Sequence, residues 1–462
     1  MFLFLDILTL NILNLLLGKT MRLYAPWEKA FNRIATPFEH FLHAQTTTGL
    51  VLMAMTIIAL ILANSPLHEV YAHLFHTNID FNVGDWKLSH SLHHWINDGL
   101  MAVFFFMVGL EIKREVLVGE LSDIKVAILP ILSAVGGMLI PALIYMAINS
   151  GNLGANGWGI PMATDIAFAI SALVLLGKRV PPALVTFLVA LAIVDDLGAV
   201  FVIAIFYTQE IHFLALSLAG GAFLLMIAMN RFGIHSILAY FLVGIFMWFF
   251  MLESGVHATI AGVIAALAIP SKPKLTPVDF TTHINNLLDE YDNYPVATDH
   301  TMHEEQKAIL LNIKDKTDSV SSPSARLEHD LHLPVSLVII PLFALANAGI
   351  SIDFSTLGET ILEPVSLGII FGLLVGKVLG IGGVAFLAIK LGIAKLPKGS
   401  SLNQLFGVAF LGGIGFTMSI FVADLAFAGQ ETLIFQAKIG VLTASLLAGF
   451  IGYVWLYKSA KH

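Results

Sequence analysis

Twelve apolar stretches of membrane-spanning length recur along this chain. They fall at about residues 48–64, 95–110, 126–148, 159–176, 182–207, 212–229, 235–252, 254–270, 334–350, 364–389, 403–426 and 432–457. Such stretches cross a bilayer as helices, because hydrocarbon offers no partner to an open backbone group. Only 12% of the residues are charged and the mean hydropathy is +0.85, whereas a soluble protein carries roughly a quarter charged residues. The chain therefore reads as an all-α polytopic membrane protein whose first partner is the lipid bilayer. It has no cysteine, which removes disulfides and thiolate metal sites. A net charge of −8 without a basic cluster gives no footing to a nucleic-acid partner.

Placing both termini in the cytoplasm puts all of the 24 basic residues on the inner side except Lys87, Lys377 and Lys438. That bias is the one that orients membrane proteins, and a miscounted span would flip the parity and erase it. Lys87 lies in an outer loop, Lys438 near the outer end of the last span, and Lys377 at mid-membrane. The chain divides into an N-terminal segment (1–34), spans one to eight (35–270), an inner loop (271–333), and spans nine to twelve with a short tail (334–462). Residues 1–20 are apolar but lack a basic leader and a small-residue cleavage site. They read as a weak anchor, as an interfacial helix, or as a start assigned ahead of Met21. Outside, residues at about 75–92 read as a β-hairpin turning at Val83-Gly84-Asp85. The inner loop is polar and acidic, and much of it is expected to stay mobile. Its histidines, like His90, His93 and His94 outside, lack the spacing of a metal site and read as solvated.

Two spans are interrupted. The fourth opens Gly159-Ile160-Pro161-Met162-Ala163-Thr164-Asp165, and the eleventh carries Gly412-Gly413-Ile414-Gly415-Phe416-Thr417-Met418-Ser419. Broken backbone survives at depth only where it lines protein or a wet cavity, and paired interruptions in two halves mark a transporter's binding site. Span four is the middle of spans 3–5 and span eleven the middle of 10–12. The odd offset of seven makes the two triplets an inverted repeat. Half-helix ends carry partial charges. An Asp165 near the facing N-termini and a Lys377 near the facing C-termini would neutralise both.

Asp195 and Asp196 stand side by side in an otherwise apolar span, where each costs about 2.5–3.5 kcal/mol to insert. Neighbours on a helix point about 100° apart, so the pair divides. One carboxylate goes to Lys377 and the other to a water-filled cavity, with spacing leaving open which does which. Beside a second negative charge, the cavity-facing acid takes a proton at mildly acidic pH and offers oxygen ligands once it has lost it. Hard cations such as Na⁺ and Li⁺ seek those oxygens. One site thus holds either a proton or a cation, and alternating access turns the competition into exchange. Lys377 adds a second titratable element. No cofactor is called for, since Na⁺, Li⁺ and H⁺ are the transported substrates.

Several motifs in order now resemble the bacterial NhaA Na⁺/H⁺ antiporters. They are Val108-Gly109-Leu110-Glu111-Ile112-Lys113-Arg114-Glu115, Ala163 to Phe168, Val194-Asp195-Asp196-Leu197-Gly198-Ala199, Ser254 to Thr259, Phe343 to Gly349, Gly376-Lys377 and Gly412 to Ser419. The likeness runs from about residue 35 to the C-terminus. It implies an inner-membrane antiporter, electrogenic and activated by pH. Asp196 would be the principal cation and proton carboxylate, with Asp195 its partner in a salt bridge to Lys377. Thr164 and Asp165 would lie where the broken helices cross. Glu111, Arg114, Glu115, Glu328 and His332 would belong to the pH response, and the outer hairpin would join a homodimer. The inner segment from about 273 to 322 looks longer than the family pattern. Three rivals remain. A symporter of the same architecture differs only in the direction of proton flow. A cation channel would want rings of charge repeated by symmetry. An intramembrane aspartyl protease would need two acids sharing one water, which adjacent helical residues cannot do.

Overall fold

The computed structural model describes residues 45–83, 86–208, 211–294, 302–352 and 355–459. The readings of residues 1–44 and the turn at Gly84-Asp85 lie outside them. Helix α1 (Gln45–Ala63) bends by 112° into α2 (His68–His76). Strands β1 (Asn78–Val83) and β2 (Trp86–Ser91) pair antiparallel, Asn78 opposite Ser91, in the segment read as a hairpin. Next come α3 (Leu92–Leu117), α4 (Ile124–Asn149), a 3₁₀-wound segment Leu153–Met162, α5 (Ile166–Leu175), α6 (Pro182–Phe206) and α7 (Phe213–Arg231). Then follow α8 (Ile237–Glu253), α9 (Thr259–Ala268), α10 (Pro277–Asp292), α11 (Glu304–Val320) and α12 (Pro323–Asn347). The chain closes with α13 (Leu357–Leu362), α14 (Pro364–Lys390), α15 (Leu402–Leu411), α16 (Phe416–Ala426) and α17 (Glu431–Ser459).

Among the described residues seven of these helices are long and apolar enough to cross a bilayer alone, and counting each of three bent pairs as one span brings the number to ten. The shorter apolar helices α8 and α9 occupy the places of spans seven and eight. Span eight is only partly helical. Gly255 takes φ +79, a left-handed conformation that ends a helix at little cost only for glycine. The stretch between α8 and α9 is tied down by His212 N donating to Ser254 O and by His257 Nε2, 3.0 Å from Tyr207 O.

The inner loop contains a helical pair. Thr276 accepts from Asp279 N ahead of Pro277, and a capping box at His303 and Gln306 starts α11. These caps satisfy orphan backbone donors that a polar composition alone does not reveal. Helix α12 begins well before the expected span, so the Arg326 to His332 stretch is continuous with the membrane helix.

The triplet α4, 3₁₀–α5, α6 and the triplet α14, α15–α16, α17 pack into one body. Helices α4 and α14 come to backbone contact at Gly136 and Gly380, where a Cβ on either residue would run into the other's backbone. Beside it, a Cβ on Gly376 would sit 2.7 Å from Pro141 Cα. Small residues let membrane helices approach to backbone contact. Helix α14 is wound wider over Gly372–Gly376 and Val378–Gly383, two π-helical turns on either side of Lys377. A second body, with α3 against α9 and α7 against α8, lies alongside and touches the first through α3–α6 and α12–α16.

Candidate functional site

The two broken helices cross where the sequence is interrupted, with bends of 42° and 47°. Their freed backbone groups answer one another. Asp165 N donates to Ile414 O at 2.6 Å, Thr164 Oγ1 to Gly412 O at 2.9 Å, and Ser419 Oγ to Ile160 O at 2.8 Å. Asp165 serves both facing N-termini. It accepts from Phe168 N at 3.1 Å at the start of α5, and from Thr417 N at 3.0 Å and Thr417 Oγ1 at 2.5 Å at the start of α16. A buried carboxylate so placed meets two positive helix ends at once.

Lys377 comes from α14 and is fully buried. Its ammonium donates to Met162 O, the C-terminal end of the first half-helix, to Thr164 Oγ1 at 2.9 Å, and to Asp195 Oδ2 at 2.8 Å. The division of the carboxylate pair is therefore fixed in this conformation. Asp195 turns to the lysine and Asp196 turns away. Both oxygens of Asp196 and the free Oδ1 of Asp195 have no hydrogen-bond partner among the described residues, although both acids are 1% exposed. Asp165, Asp195 and Glu111 add negative potential at Asp196, and Lys377 opposes them. Three unsatisfied carboxylate oxygens in one buried place match the ligand preference of a small hard cation.

A second cluster lies at the basic end of α3. Arg114 Nη1 pairs with Glu115 Oε1 at 2.6 Å, and Arg114 Nε with Glu328 Oε1 of α12 at 2.7 Å. Glu111 faces this trio within electrostatic range, and Glu115 Oε2 accepts from Glu120 N at 2.9 Å. His332 sits one turn beyond Glu328 on α12, exposed. Thus Glu111, Arg114, Glu115 and Glu328 are brought together, and Glu111 faces both them and the carboxylate pair. Among the described residues no group of three or more His, Cys, Asp or Glu is arranged to hold a metal ion. His90 and His94 stack with centroids 4.1 Å apart. Burial, then the neighbouring His94 ring, pushes the His90 imidazole below its usual value.

Thr417 was not singled out from the sequence as a site residue. Its only signal is a hydroxyl inside the glycine-rich interruption, a residue type that membrane helices also use for packing. The Asp424–Lys438 pair at 3.2 Å gives little signal for a different reason, since both charges lie near the outer ends of their spans, where membrane helices carry them at low cost.

A bundle in which two interrupted spans cross beside a buried carboxylate pair has the architecture of a membrane transporter. A family model described as Na+/H+ antiporter 1 matches residues 39–456. The Na(+)/H(+) antiporter NhaA of Sulfurimonas denitrificans is 70% identical over 441 residues, covering 96% of this chain and 99% of that protein. The Na(+)/H(+) antiporter NhaA 1 of Saccharophagus degradans is 50% identical, covering 94% and 93%, and the NhaA of Dichelobacter nodosus 46%, covering 93% of each. The chain belongs to the Na+/H+ antiporter 1 family and is a multi-pass membrane protein.

Proposed function

We propose that this chain exports Na⁺ or Li⁺ in exchange for incoming H⁺, by alternating access at one carboxylate site in a bacterial inner membrane, with both termini in the cytoplasm. The observation that carries the reading is Asp196, a buried carboxylate with both oxygens unpartnered beside the Lys377–Asp195 pair. A cation entering there gains the oxygens of Asp196 and Oδ1 of Asp195. A proton entering neutralises Asp196, so the two ligands exclude each other. Electrogenic exchange is the natural outcome for two acids and an ammonium in one cluster, because one cation can displace more than one proton. The Arg114–Glu115–Glu328 cluster with Glu111, and His332 one turn on, supports control by inner pH, since Glu111 lies within electrostatic range of both the cluster and Asp196. The two-stranded β1–β2 hairpin supports a homodimer, because an unpaired strand edge is a template for a second chain.

The test uses proteoliposomes with an acidic interior, following internal pH as NaCl, LiCl or KCl is added outside. Antiport predicts sodium-triggered alkalinisation, lost in Asp196→Asn while that variant still inserts. Acidification would mean symport, and cation flux without proton movement would mean a channel. Wild-type-like exchange by Asp196→Asn would sink the single-site mechanism.

A further inference from the structure

Three helices carry the same two-tier arrangement on the side of the site that the basic residues assign to the outside. On α16, Thr417, Phe421 and Asp424 follow at intervals of four and three, which places them on one face. Thr417 binds Asp165, so Phe421 and Asp424 lie one and nearly two turns further out. On α12, Phe343 is followed one turn outward by Asn347. On α3, Phe105 is preceded outward by Asn97 and His93. The three rings meet. Phe421 lies 5.8 Å from Phe105 and 6.0 Å from Phe343 between centroids, and each is 1% exposed. Above them, Asn347 Nδ2 donates to Asn97 Oδ1 at 2.8 Å, and Asn347 Oδ1 receives Asn97 Nδ2 at 3.3 Å. His93 Nε2 stands 2.9 Å from the same oxygen. Asp424 and Lys438 lie within electrostatic range of His93, and Asp424 Oδ2 has no hydrogen-bond partner among the described residues.

We infer that these groups form the outer gate of the transport site, shut in this structure, with an aromatic plug of Phe105, Phe343 and Phe421 beneath a polar lid. The two tiers come from two bodies. Phe421, Asp424 and Lys438 belong to the packed triplets, whereas Phe105, Phe343, His93, Asn97 and Asn347 belong to the helices alongside. A relative shift of the bodies parts Phe421 from Phe105 and Phe343 and carries Asp424 away from His93, while the bonds among His93, Asn97 and Asn347 stay within one body. The chemistry of each tier suits its task. A dry ring of aromatics excludes a hydrated cation, as apolar constrictions in channels do. Amides and an imidazole that keep their bonds to one another give the opening a polar rim, which meets water at small net cost. Asp424 then offers an outward-facing charge where a cation leaves. The inference rests on exchange at the carboxylate pair and on the orientation given by the basic residues.

Because the chain has no cysteine, introduced thiols are unique. The experiment bridges Phe343→Cys/Phe421→Cys with a short bifunctional methanethiosulfonate and reads Na⁺/H⁺ exchange before treatment, after it, and after reduction. Exchange should fall to background on bridging and recover on reduction, with both single variants unaffected by the same treatment. Undiminished exchange by protein shown by mass spectrometry to be bridged would overturn the gate. Since cysteine itself thins the plug, a second measurement follows labelling of Phe421→Cys by an impermeant maleimide added outside. Labelling should be several-fold faster during sodium-driven turnover than in the Asp196→Asn background, and equal rates would overturn the gate as well. Exchange by the unsubstituted protein, measured alongside, tests the antiport reading by itself.

Discussion

Lys377 and Asp195 are both out of water, so each depends on the other for charge compensation. Removing one member of a buried pair strands the second and costs about 3–5 kcal/mol. Lys377→Ala should therefore lower the thermal midpoint in detergent and shift the pH profile of exchange. An unchanged profile would count against a part for the lysine in the cycle. At this scale the sequence is informative where a charge stands in the middle of an apolar run, and that is how Asp165, Asp195, Asp196 and Lys377 declare themselves. It is silent where the group is neutral. Thr417, Asn97 and Asn347 look like ordinary packing residues until their partners are known. Which acid faces the lysine depends on the rotation of α6 against α14, and no spacing encodes that.

Between α4 and α14 the contact is backbone on backbone at Gly136 and Gly380, and this is what lets Lys377 of one triplet reach Met162 and Thr164 of the other. An added methyl here overpacks, by about 1–3 kcal/mol. Gly380→Ala should lower the thermal midpoint accordingly, whereas Gly383→Ala, with nothing within 4 Å of its added Cβ, should leave it unchanged. Equal midpoints would mean that the helices can move apart without loss. Hydropathy locates the apolar elements well because burial in lipid rewards uninterrupted apolar length. It overlooks the break ahead of α9, where Ser254 to Ala258 keep an apolar average while leaving the helix. It also overlooks α10 and α11, whose stability comes from caps and from contacts between the two helices.

The inverted repeat belongs to the whole molecule, and the parity of the spans discloses it without any visible self-similarity of sequence. What parity leaves out is how the repeats touch, and hence which helices move as one. The outer hairpin is a separable part of this whole. Leu92 N donates to Thr77 O at 2.9 Å, so the chain enters and leaves the hairpin at adjacent points. Replacing residues 78–91 by two glycines should leave exchange intact and convert the protein to a monomer in dilute detergent, read by light scattering. A dimer that survives the excision would place the contact elsewhere.

Lys377 stands between two π-helical turns, each of which holds one residue more than a regular winding would need. In this stretch the winding therefore has slack for one residue on each side of the lysine. Deleting Leu374 would take up that slack and relax the turn to an ordinary winding, with the residues on its two sides facing as before. Deleting Leu373 and Leu374 together would leave one residue too few and turn Lys377 by about 100° relative to the start of α14. The lysine would then be aimed off the Asp195 side in a protein that inserts normally and keeps its helical circular dichroism. The single deletion should therefore still exchange and the double deletion should not. Exchange by the double deletion would mean that α14 can choose its own register. Drift in this helix is thus free to drop one letter here but not two.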